Sequence, residues 1–478
     1  DLDAGATILG STNVEDYPFI VSRFVSRSDK YFGRALIWGE GLQDIAITGH
    51  GTIDGQGTQF AGKAPSDEEY KRLISPLEAA KRWYPLQTDV NRPFVIRLIS
   101  CRDILVENVT LRNSAMWMQH YLNCEFITVR GVNIFNHGSR NNDMIDIDCC
   151  RNVVITDCFS DTTDDGLTLK SCHGTVVENV TVSNCVIRSH CNAIKAGTDS
   201  MGGFKDLTIT NCIIRQSAVP TVVLGRREGI SAIALEIVAG GSMDGVAISN
   251  ISIEGTFCPI FLRLGNRARP VAPDGPRPPV GTLRNVVINN VVARNAGRTG
   301  CSIVGIPGHN IENVTLSNVK IAFTGGGTKE RVLAEVPELE NKYPEGIMFG
   351  VLPAYAFFCR HVDGLTLRDV DFRYDKPDQR PALVCDDVQN LKLDGFSAQG
   401  AADALGQVIF RNTRDVLITG CRPPATEVFL RLEGGSRLIN VLANDLSRVK
   451  TPFTFDASVS PSDVCAEFNK TSRTSPAK

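Results

Sequence analysis

One short pattern recurs along the whole chain: a polar residue, an apolar one, any residue, another apolar one, and then often Asn or Asp. Copies are anchored at Ile104, Ile127, Val153, Val180 and Leu207, which lie 23 to 27 residues apart. A repeat of this length, with β-branched residues at alternate positions and Asn or Gly at the corners, is typical of a stacked solenoid. A leucine-rich repeat would instead show Leu-x-x-Leu-x-Leu and a helical half in each unit, and the sequence has neither.

We therefore predict an all-β fold, a right-handed parallel β-helix (solenoid) of about a dozen coils that bury a core only by stacking. One β-helix domain is expected over residues 1–456, with insertions at about 58–92 and 324–360, and a polar C-terminal tail over 457–478. The first insertion predicts a short helix from Ser66 to Trp83, capped by Ser66. The second is a long loop that either lines a binding site or caps the flank of the solenoid.

Composition excludes two classes of partner. The net charge of −3, without a Lys/Arg run, argues against nucleic acid. No apolar run approaches the roughly 20 residues needed to cross a bilayer. Of the fifteen cysteines, Cys158, Cys185 and Cys212 share one position of successive coils, and Cys101, Cys124 and Cys150 share another. This predicts buried ladders in the interior, with one or two disulfides as the alternative.

Three segments contribute to one cluster: "NNDMIDIDCC" and "DDGLTLKS" carry acidic residues, and "HCNAIKAG" carries a histidine. Aligning their apolar positions puts Ile147, Leu169 and Ile194 on one inward-facing row. The residues then level with one another at the strand starts are Asp143, Asp165 and His190, with Asp164 beside them. Carboxylates this close push at least one pKa up, which supplies a proton donor beside an ionised base. That arrangement suits cleavage of a glycosidic bond.

At these residues the sequence resembles the polygalacturonase family of glycoside hydrolases, family 28. The family's Asn-x-Asp matches Asn141 and Asp143, its Asp-Asp pair matches Asp164 and Asp165, and its Gly-His-Gly histidine matches His190. The likeness covers most of the chain, from "GATILGS" through "GHGTIDGQG" to the acidic segments.

This resemblance implies an inverting hydrolase of a plant or algal cell-wall polysaccharide or its oligosaccharides, most readily pectin-like (galacturonan or rhamnogalacturonan). It implies Asp164 as general acid, Asp143 with Asp165 holding and deprotonating the water, and His190 tuning or orienting the acid. It also implies no metal or cofactor, a secreted or periplasmic location, and a monomer. The polysaccharide is then the expected partner.

Two departures bear on the substrate. "SHC" stands where the family has Gly-His-Gly, and the family's Arg-x-Lys, which grips a galacturonate carboxylate, is replaced by Ala234 and Glu236. A Glu there would repel a uronate. Nearby cations either bind a substrate carboxylate or sulfate or pair with Asp146, Asp148 and Glu236. The candidate substrate-binding residues are Asn141, Lys170, Lys195, Arg226, Arg227, Glu236, Arg263, His309 and Tyr355.

Other functions stay open at this point. A polysaccharide lyase or epimerase on the same fold would use the acidic residues to hold calcium. A non-catalytic glycan-binding β-helix would not need them for chemistry. The long insertion, if it walls off one end of a cleft, favours exo over endo cleavage.

Overall fold

The computed structural model describes residues 1–28, 33–60, 66, 68, 71–72, 75, 91–221, 223–271, 275–401 and 403–471. They form two compact units. The first unit comprises Asp1–Gly229, Ile233–Asp244 and Asn266–Gly281, and the second comprises Ile230–Ala232, Gly245–Gly265 and Thr282–Lys478. The helix predicted from Ser66 to Trp83 lies largely outside the described residues, and the single-domain boundary stays a prediction.

The described residues form parallel strands joined by turns and loops, which confirms the predicted all-β, right-handed parallel β-helix. In chain order the strands are β1 (Thr7–Leu9), β2 (Ala35–Glu40), β3 (Gln43–Thr48), β4 (Thr52–Asp54), β5 (Phe94–Ile99), β6 (Arg102–Glu107), β7 (Thr110–Arg112), β8 (Gln119–Leu122), β9 (Glu125–Arg130), β10 (Asn133–Asn136), β11 (Ile145–Asp148), β12 (Arg151–Thr156), β13 (Phe159–Thr162), β14 (Leu167–Ser171), β15 (Val177–Ser183), β16 (Val186–Ser189), β17 (Asn192–Ser200), β18 (Gly203–Gln216), β19 (Gly229–Ile237), β20 (Ser242–Glu254), β21 (Thr256–Leu264), β22 (Thr282–Ala296), β23 (Cys301–Val304), β24 (Ile311–Gly325), β25 (Phe357–Arg368), β26 (Asp371–Lys376), β27 (Leu383–Asp394), β28 (Ser397–Ala398), β29 (Val408–Arg411), β30 (Arg414–Thr419), β31 (Thr426–Glu433), β32 (Arg437–Leu442), β33 (Asp445–Leu446), β34 (Val449–Phe455), β35 (Val464–Glu467) and β36 (Lys470–Thr471). Short 3₁₀ helices span Val14–Asp16, Gly57–Phe60, Lys329–Leu333 and Pro461–Asp463. No helix of the described part is long and apolar enough to span a membrane.

In the first unit the strands stack in three parallel rows. The rows are β5–β8–β11–β14–β17, β6–β9–β12–β15–β18 and β7–β10–β13–β16, the last also pairing with β18. The middle row shows why the repeat folds this way, because its apolar positions form one continuous buried column of Val106, Val129, Ile155, Val182 and Ile209. Burying each such side chain contributes about 1.5–3 kcal/mol, and only the stack provides the burial.

The corners between strands hold Asn and Asp in the left-handed conformation, as the repeat predicts. Asp157 and Asn184, which follow β12 and β15, both have φ of 57°, a value that these short polar side chains tolerate better than other residues. The two corners are also joined, because Asn184 Nδ2 donates to Asp157 Oδ1 at 3.1 Å. The repeated Asn or Asp is therefore both a turn former and a link between coils.

The cysteines line the interior as predicted. All fifteen are free thiols within the described residues, and only Cys465 is exposed. In the ladder of the first unit the Cys101 amide donates to Cys124 Sγ at 3.4 Å, and the Cys124 amide donates to Cys150 Sγ at 3.3 Å. They pack as small hydrophobes.

In the second unit the long insertion (residues 326–356, between β24 and β25) lies over the sheet formed by β23, β25, β27 and β29. Its apolar side chains Val332, Leu352 and Ala354 join one core cluster with residues of that sheet. Four arginines hold its backbone by donating to main-chain carbonyls. The donor and acceptor pairs are Arg263 to Glu338 at 2.6 Å, Arg360 to Val336 at 2.7 Å, Arg411 to Val332 at 2.9 Å and Arg380 to Leu352 at 3.0 Å. We call these four residues the arginine anchors.

Regular structure continues past residue 456, the predicted C-terminal boundary. Strand β35 pairs in parallel with β32, through Ile439 with Val464 and Val441 with Ala466. Regular structure therefore extends into the segment expected to be a polar tail, because "VCAE" still supplies apolar residues at alternate positions.

Candidate active site

Three carboxylates gather where β11, β14 and β17 begin. The register pairs Ile145 with Leu167 and Leu167 with Ile194. Asp143 and Asp165 each precede their strand by two residues, and the Met144 amide donates to the Asp165 carbonyl at 3.1 Å. The parallel register therefore sets Asp143 and Asp165 side by side, one strand spacing apart, with Asp164 next in the chain.

The predicted alignment of the third segment is wrong by two residues. Ile147 does pair with Leu169, but Leu169 pairs with Ala196, and Ile194 pairs with Leu167. Both registers point the same apolar faces inward, because side chains alternate with a period of two.

The correction changes which residue lies opposite Asp165. Asn192, rather than His190, is level with it, and the Gly166 amide donates to the Asn192 carbonyl at 2.8 Å. His190 is buried further along, where its Nε2 lies 2.7 Å from Thr221 Oγ1 and its ring centroid 6.1 Å from that of His137. Burial lowers the pKa of His190.

Asp165 has donors on both carboxylate oxygens. Oδ1 accepts from the Asn192 amide at 3.0 Å and from Asn192 Nδ2 at 2.8 Å, and Oδ2 accepts from Lys195 Nζ at 3.0 Å. Burial alone would raise the pKa of Asp165, but Lys195, Lys170 and these hydrogen bonds outweigh it and hold the pKa below its usual value. Asp165 is therefore the ionised member of the group.

Asp164 has the opposite tendency. Burial and the neighbouring Asp165 raise its pKa, although it accepts from the Asp165 amide at 2.9 Å and from Asn141 Nδ2 at 3.3 Å. Its main chain is held firmly, because the hydroxyls of Thr162 and Ser189 donate to its carbonyl at 2.8 Å and 2.6 Å. One carboxyl that favours its proton thus adjoins one that favours its charge.

Asp143 is 2% exposed, and burial, Asp146 and Asp164 raise its pKa well above the usual value. Its nearest cation is Lys170, with 3.9 Å between Nζ and Oδ2, whereas Lys170 makes a closer pair with Asp146 at 3.1 Å. The Lys170 ammonium also lies 4.6 Å from the ring centroid of Trp117. Carboxylates outnumber the cations beside them.

Three site residues were missed by the sequence analysis. They are Asn192, Trp117 and Arg92, whose Nη2 donates to Asn141 Oδ1 at 3.0 Å. Asn192 could have been found, since it precedes Ile194 as Asp165 precedes Leu167. The sequence carries no signal for the other two, because their partners, Lys170 and Asn141, lie far away in the chain.

The candidate substrate contacts of the first unit have different surroundings. Lys170 and Lys195 are 8% and 2% exposed and pair with Asp146, Asp143 and Asp165, and their contact with the substrate stays a prediction. Glu236, expected at the cleavage subsite, is fully buried against Gly197, so that expectation is wrong.

Arg226 and Arg227 belong to a turn in which the Val223 and Arg226 main chains exchange hydrogen bonds at 2.8 Å and 2.9 Å. Arg227 is exposed, and its backbone lies against His190. These two arginines stay predicted substrate contacts.

Two predicted contacts in the second unit are wrong. Arg263 is 1% exposed and donates to the carbonyls of Gly305 and Glu338. Tyr355 is fully buried, and its hydroxyl donates to main-chain carbonyls of the same unit. His309 is exposed in a turn of the second unit and stays a prediction.

Metal-ligating side chains group once among the described residues. Ligand atoms of Asp164, Asp165 and Cys191 lie within 4.8 Å of one another. Three ligands are fewer than the four of a structural zinc site, and two of them are engaged in the hydrogen bonds given above.

The sequence profile of glycosyl hydrolases family 28 matches residues 3–341. A probable polygalacturonase of Vitis vinifera is 26% identical over 366 residues, which are 74% of this chain and 67% of that protein. The exopolygalacturonase of Thermotoga maritima superposes with a TM-score of 0.53 at 19% identity, covering 78% of this chain and 79% of that one. The family 28 exopolygalacturonase of Yersinia enterocolitica gives 0.55 at 17% identity, covering 82% and 69%.

Proposed function

Because the chain belongs to glycosyl hydrolases family 28, we propose that it degrades a pectin-like polysaccharide or its oligosaccharides by inverting hydrolysis. The observation that carries the proposal is the different surroundings of two adjacent carboxyls: Asn192 and Lys195 donate to Asp165, which lowers its pKa, whereas burial and Asp165 raise the pKa of Asp164. A glycosidase of this kind needs one protonated and one ionised carboxyl at neutral to acidic pH.

In the proposed mechanism Asp164 protonates the oxygen of the leaving sugar. Its raised pKa keeps the proton available, and the hydrogen bonds to its carbonyl hold the side chain where the strand begins. Asp165, ionised, accepts the proton of the attacking water, and Asp143 binds that water beside it. Loss of the proton from water and its gain by the leaving group balance the step.

The partner in this proposal is a polysaccharide too large to enter a cell intact, so we propose that the protein acts outside the cytoplasm. We also propose that it acts as a monomer. A lyase would also use a parallel β-helix, but it would eliminate rather than hydrolyse. Its product carries a carbon–carbon double bond that absorbs ultraviolet light. The same reaction mixtures therefore distinguish the two activities.

The test is a reducing-sugar assay on pectic, neutral and sulfated glycans with the wild type and Asp164→Asn. We expect one glycan class to be hydrolysed and the variant to lose about 10²–10⁴-fold in rate. The matched control is Asp157→Asn, the same change at an exposed corner of the first unit, which should keep full activity. Unchanged activity in Asp164→Asn, or ultraviolet-absorbing products from the wild type, would sink the proposal.

A further inference from the structure

We propose that Lys195, together with Asn192, is the positioning device of the reaction: it keeps Asp165 ionised and directs a single carboxylate oxygen, Oδ2, to the attacking water. The inference rests on the proposed function and adds two residues and one specified atom to it. It also means that the Lys195 ammonium pairs with a carboxylate of the protein and not with a carboxylate of the substrate.

The strand register delivers Lys195 to Asp165. Lys195 pairs with Thr168 across β14 and β17, between Ile194 and Ala196, which face the buried interior. Its ammonium therefore lies on the opposite face of the sheet, 3.0 Å from Asp165 Oδ2. The side chains of the pair are 3% and 6% exposed, so water screens their attraction little.

Asn192 fixes the other oxygen. Its main-chain amide and its side-chain amide both donate to Asp165 Oδ1. A carboxylate oxygen accepts about two hydrogen bonds, so Oδ1 is filled. Oδ2 accepts from Lys195 alone among the described residues and keeps capacity for a second donor, which makes it the oxygen suited to receive a proton from water.

The surroundings show why a cation is needed. Asp165 is buried next to Asp164 and near Asp143, and burial and like charge both favour protonation. Lys170 also favours the charge of Asp165, but it pairs with Asp146 and Asp143, so without Lys195 the protonation of Asp165 would compete with that of Asp164. A buried ion pair is weak evidence of a contribution to stability, which makes a functional reason for this one worth testing.

The proposal separates Lys195 from a substrate-binding role. A lysine that grips a uronate of the substrate contributes equally to substrate and transition state, so its loss raises KM. A lysine that prepares the base acts on the chemical step, so its loss lowers kcat and leaves KM nearly unchanged. The split between kcat and KM thus distinguishes the two roles.

The experiment compares the wild type with Lys195→Met, which keeps the length of the side chain and removes the charge. We expect kcat to fall at least about tenfold at mildly acidic pH, and the acid limb of the pH profile to move up by about one unit or more, since each pKa unit is tenfold. Lys205→Met, at an exposed lysine of the first unit, is the control and should match the wild type. A raised KM with unchanged kcat, or a uniform loss at every pH, overturns the proposal.

A second measurement needs no substrate, so it separates failure of this inference from failure of the proposed function. The folded-state pKa of Asp165 is depressed, so its pairing stabilises the fold above the unfolded pKa of about 4 and loses this effect as the pH falls. The difference in unfolding temperature between the wild type and Lys195→Met should therefore be largest near neutral pH and narrow in acid. An equal difference in unfolding temperature at neutral and at acidic pH would contradict the proposed role of Lys195.

If Lys195→Met does not accumulate as folded protein, Asn192→Ala tests the same carboxylate with the ammonium in place. It should lower kcat, keep KM and move the acid limb in the same direction by a smaller amount. An unchanged pH profile in a folded Asn192→Ala variant overturns the assignment. Activity lost in Asp164→Asn but retained in both of these variants would leave the proposed function intact and remove this inference.

Discussion

The acidic site of the first unit and the arginine anchors of the second bury charge in opposite ways. Arg380 and Asp378 are fully buried and saturated, with Nε–Oδ1 and Nη2–Oδ2 distances of 2.9 Å and 2.7 Å and further bonds to main-chain groups. In the acidic site, carboxylates outnumber the nearby lysines, and the pKa values of Asp164 and Asp165 move apart. An arginine with a matching carboxylate can hold a segment in place. Carboxylates without enough cations beside them have shifted pKa values and can therefore donate or accept protons.

The largest effect should come from Asp143→Asn. We expect a loss of about 10²–10⁴-fold in hydrolysis, because water would lose one of its two carboxylates. The unfolding temperature at neutral pH should not fall. The folded-state pKa of Asp143 is raised, so ionising it in the fold costs free energy that the amide avoids. Rates and thermal unfolding measured on one preparation test both claims, and a marked loss of stability would contradict the comparison.

Next comes Arg380→Met, the converse change in the second unit. Removing one partner of a fully buried pair should lower the free energy of unfolding by about 3–5 kcal/mol, measured in urea. Arg373 offers a matched control, because it also pairs with an Asp two residues earlier, at 2.9 Å, but is 69% exposed. Arg373→Met should cost no more than about 1 kcal/mol. An equal loss of unfolding free energy in the two variants would show that burial does not make the Arg380 pair stronger than the exposed Arg373 pair.

The smallest intervention is a change of pH. The proposed mechanism requires Asp165 ionised, with its pKa below the usual value, and Asp164 protonated, with its pKa above it. The profile of kcat/KM should therefore be bell-shaped with a mildly acidic maximum, falling about tenfold per pH unit on each side. An activity that keeps rising up to a pH of about 8 would show that Asp164 is not the proton donor.

Much of this fold could be predicted from sequence because, in a solenoid, residues one repeat apart in the chain contact each other in adjacent coils. Val153 and Val180 occupy equivalent positions in adjacent coils, and the structure pairs them. The gathering of Asp143 with Asp164 and Asp165 follows from the same spacing. Where the repeat is regular, local pattern and tertiary register carry the same information.

The failures have equally physical causes. The predicted alignment of the third segment, from His190 to Gly197, is wrong by two residues, a shift that leaves every apolar side chain on its own face and so has no signature in the hydrophobic pattern. The prediction therefore places His190 level with Asp165, where the structure has Asn192. Arg263 and Tyr355 are predicted substrate contacts because an Arg and a Tyr suit sugars. In the structure both donate to main-chain carbonyls of other segments, which no side-chain pattern reports.

The arginine anchors have a consequence for how this protein can vary. Apart from the ion pair of Arg360 with Glu338, they bind the insertion through carbonyl oxygens, which every amino acid carries, so these bonds do not depend on the identity of the residues that they hold. Outward-facing positions such as Leu333, 72% exposed, are therefore free to diverge without loosening the segment. The sequence of a loop that is bound through its backbone can change in evolution or by design, while the arginines that bind it stay the same.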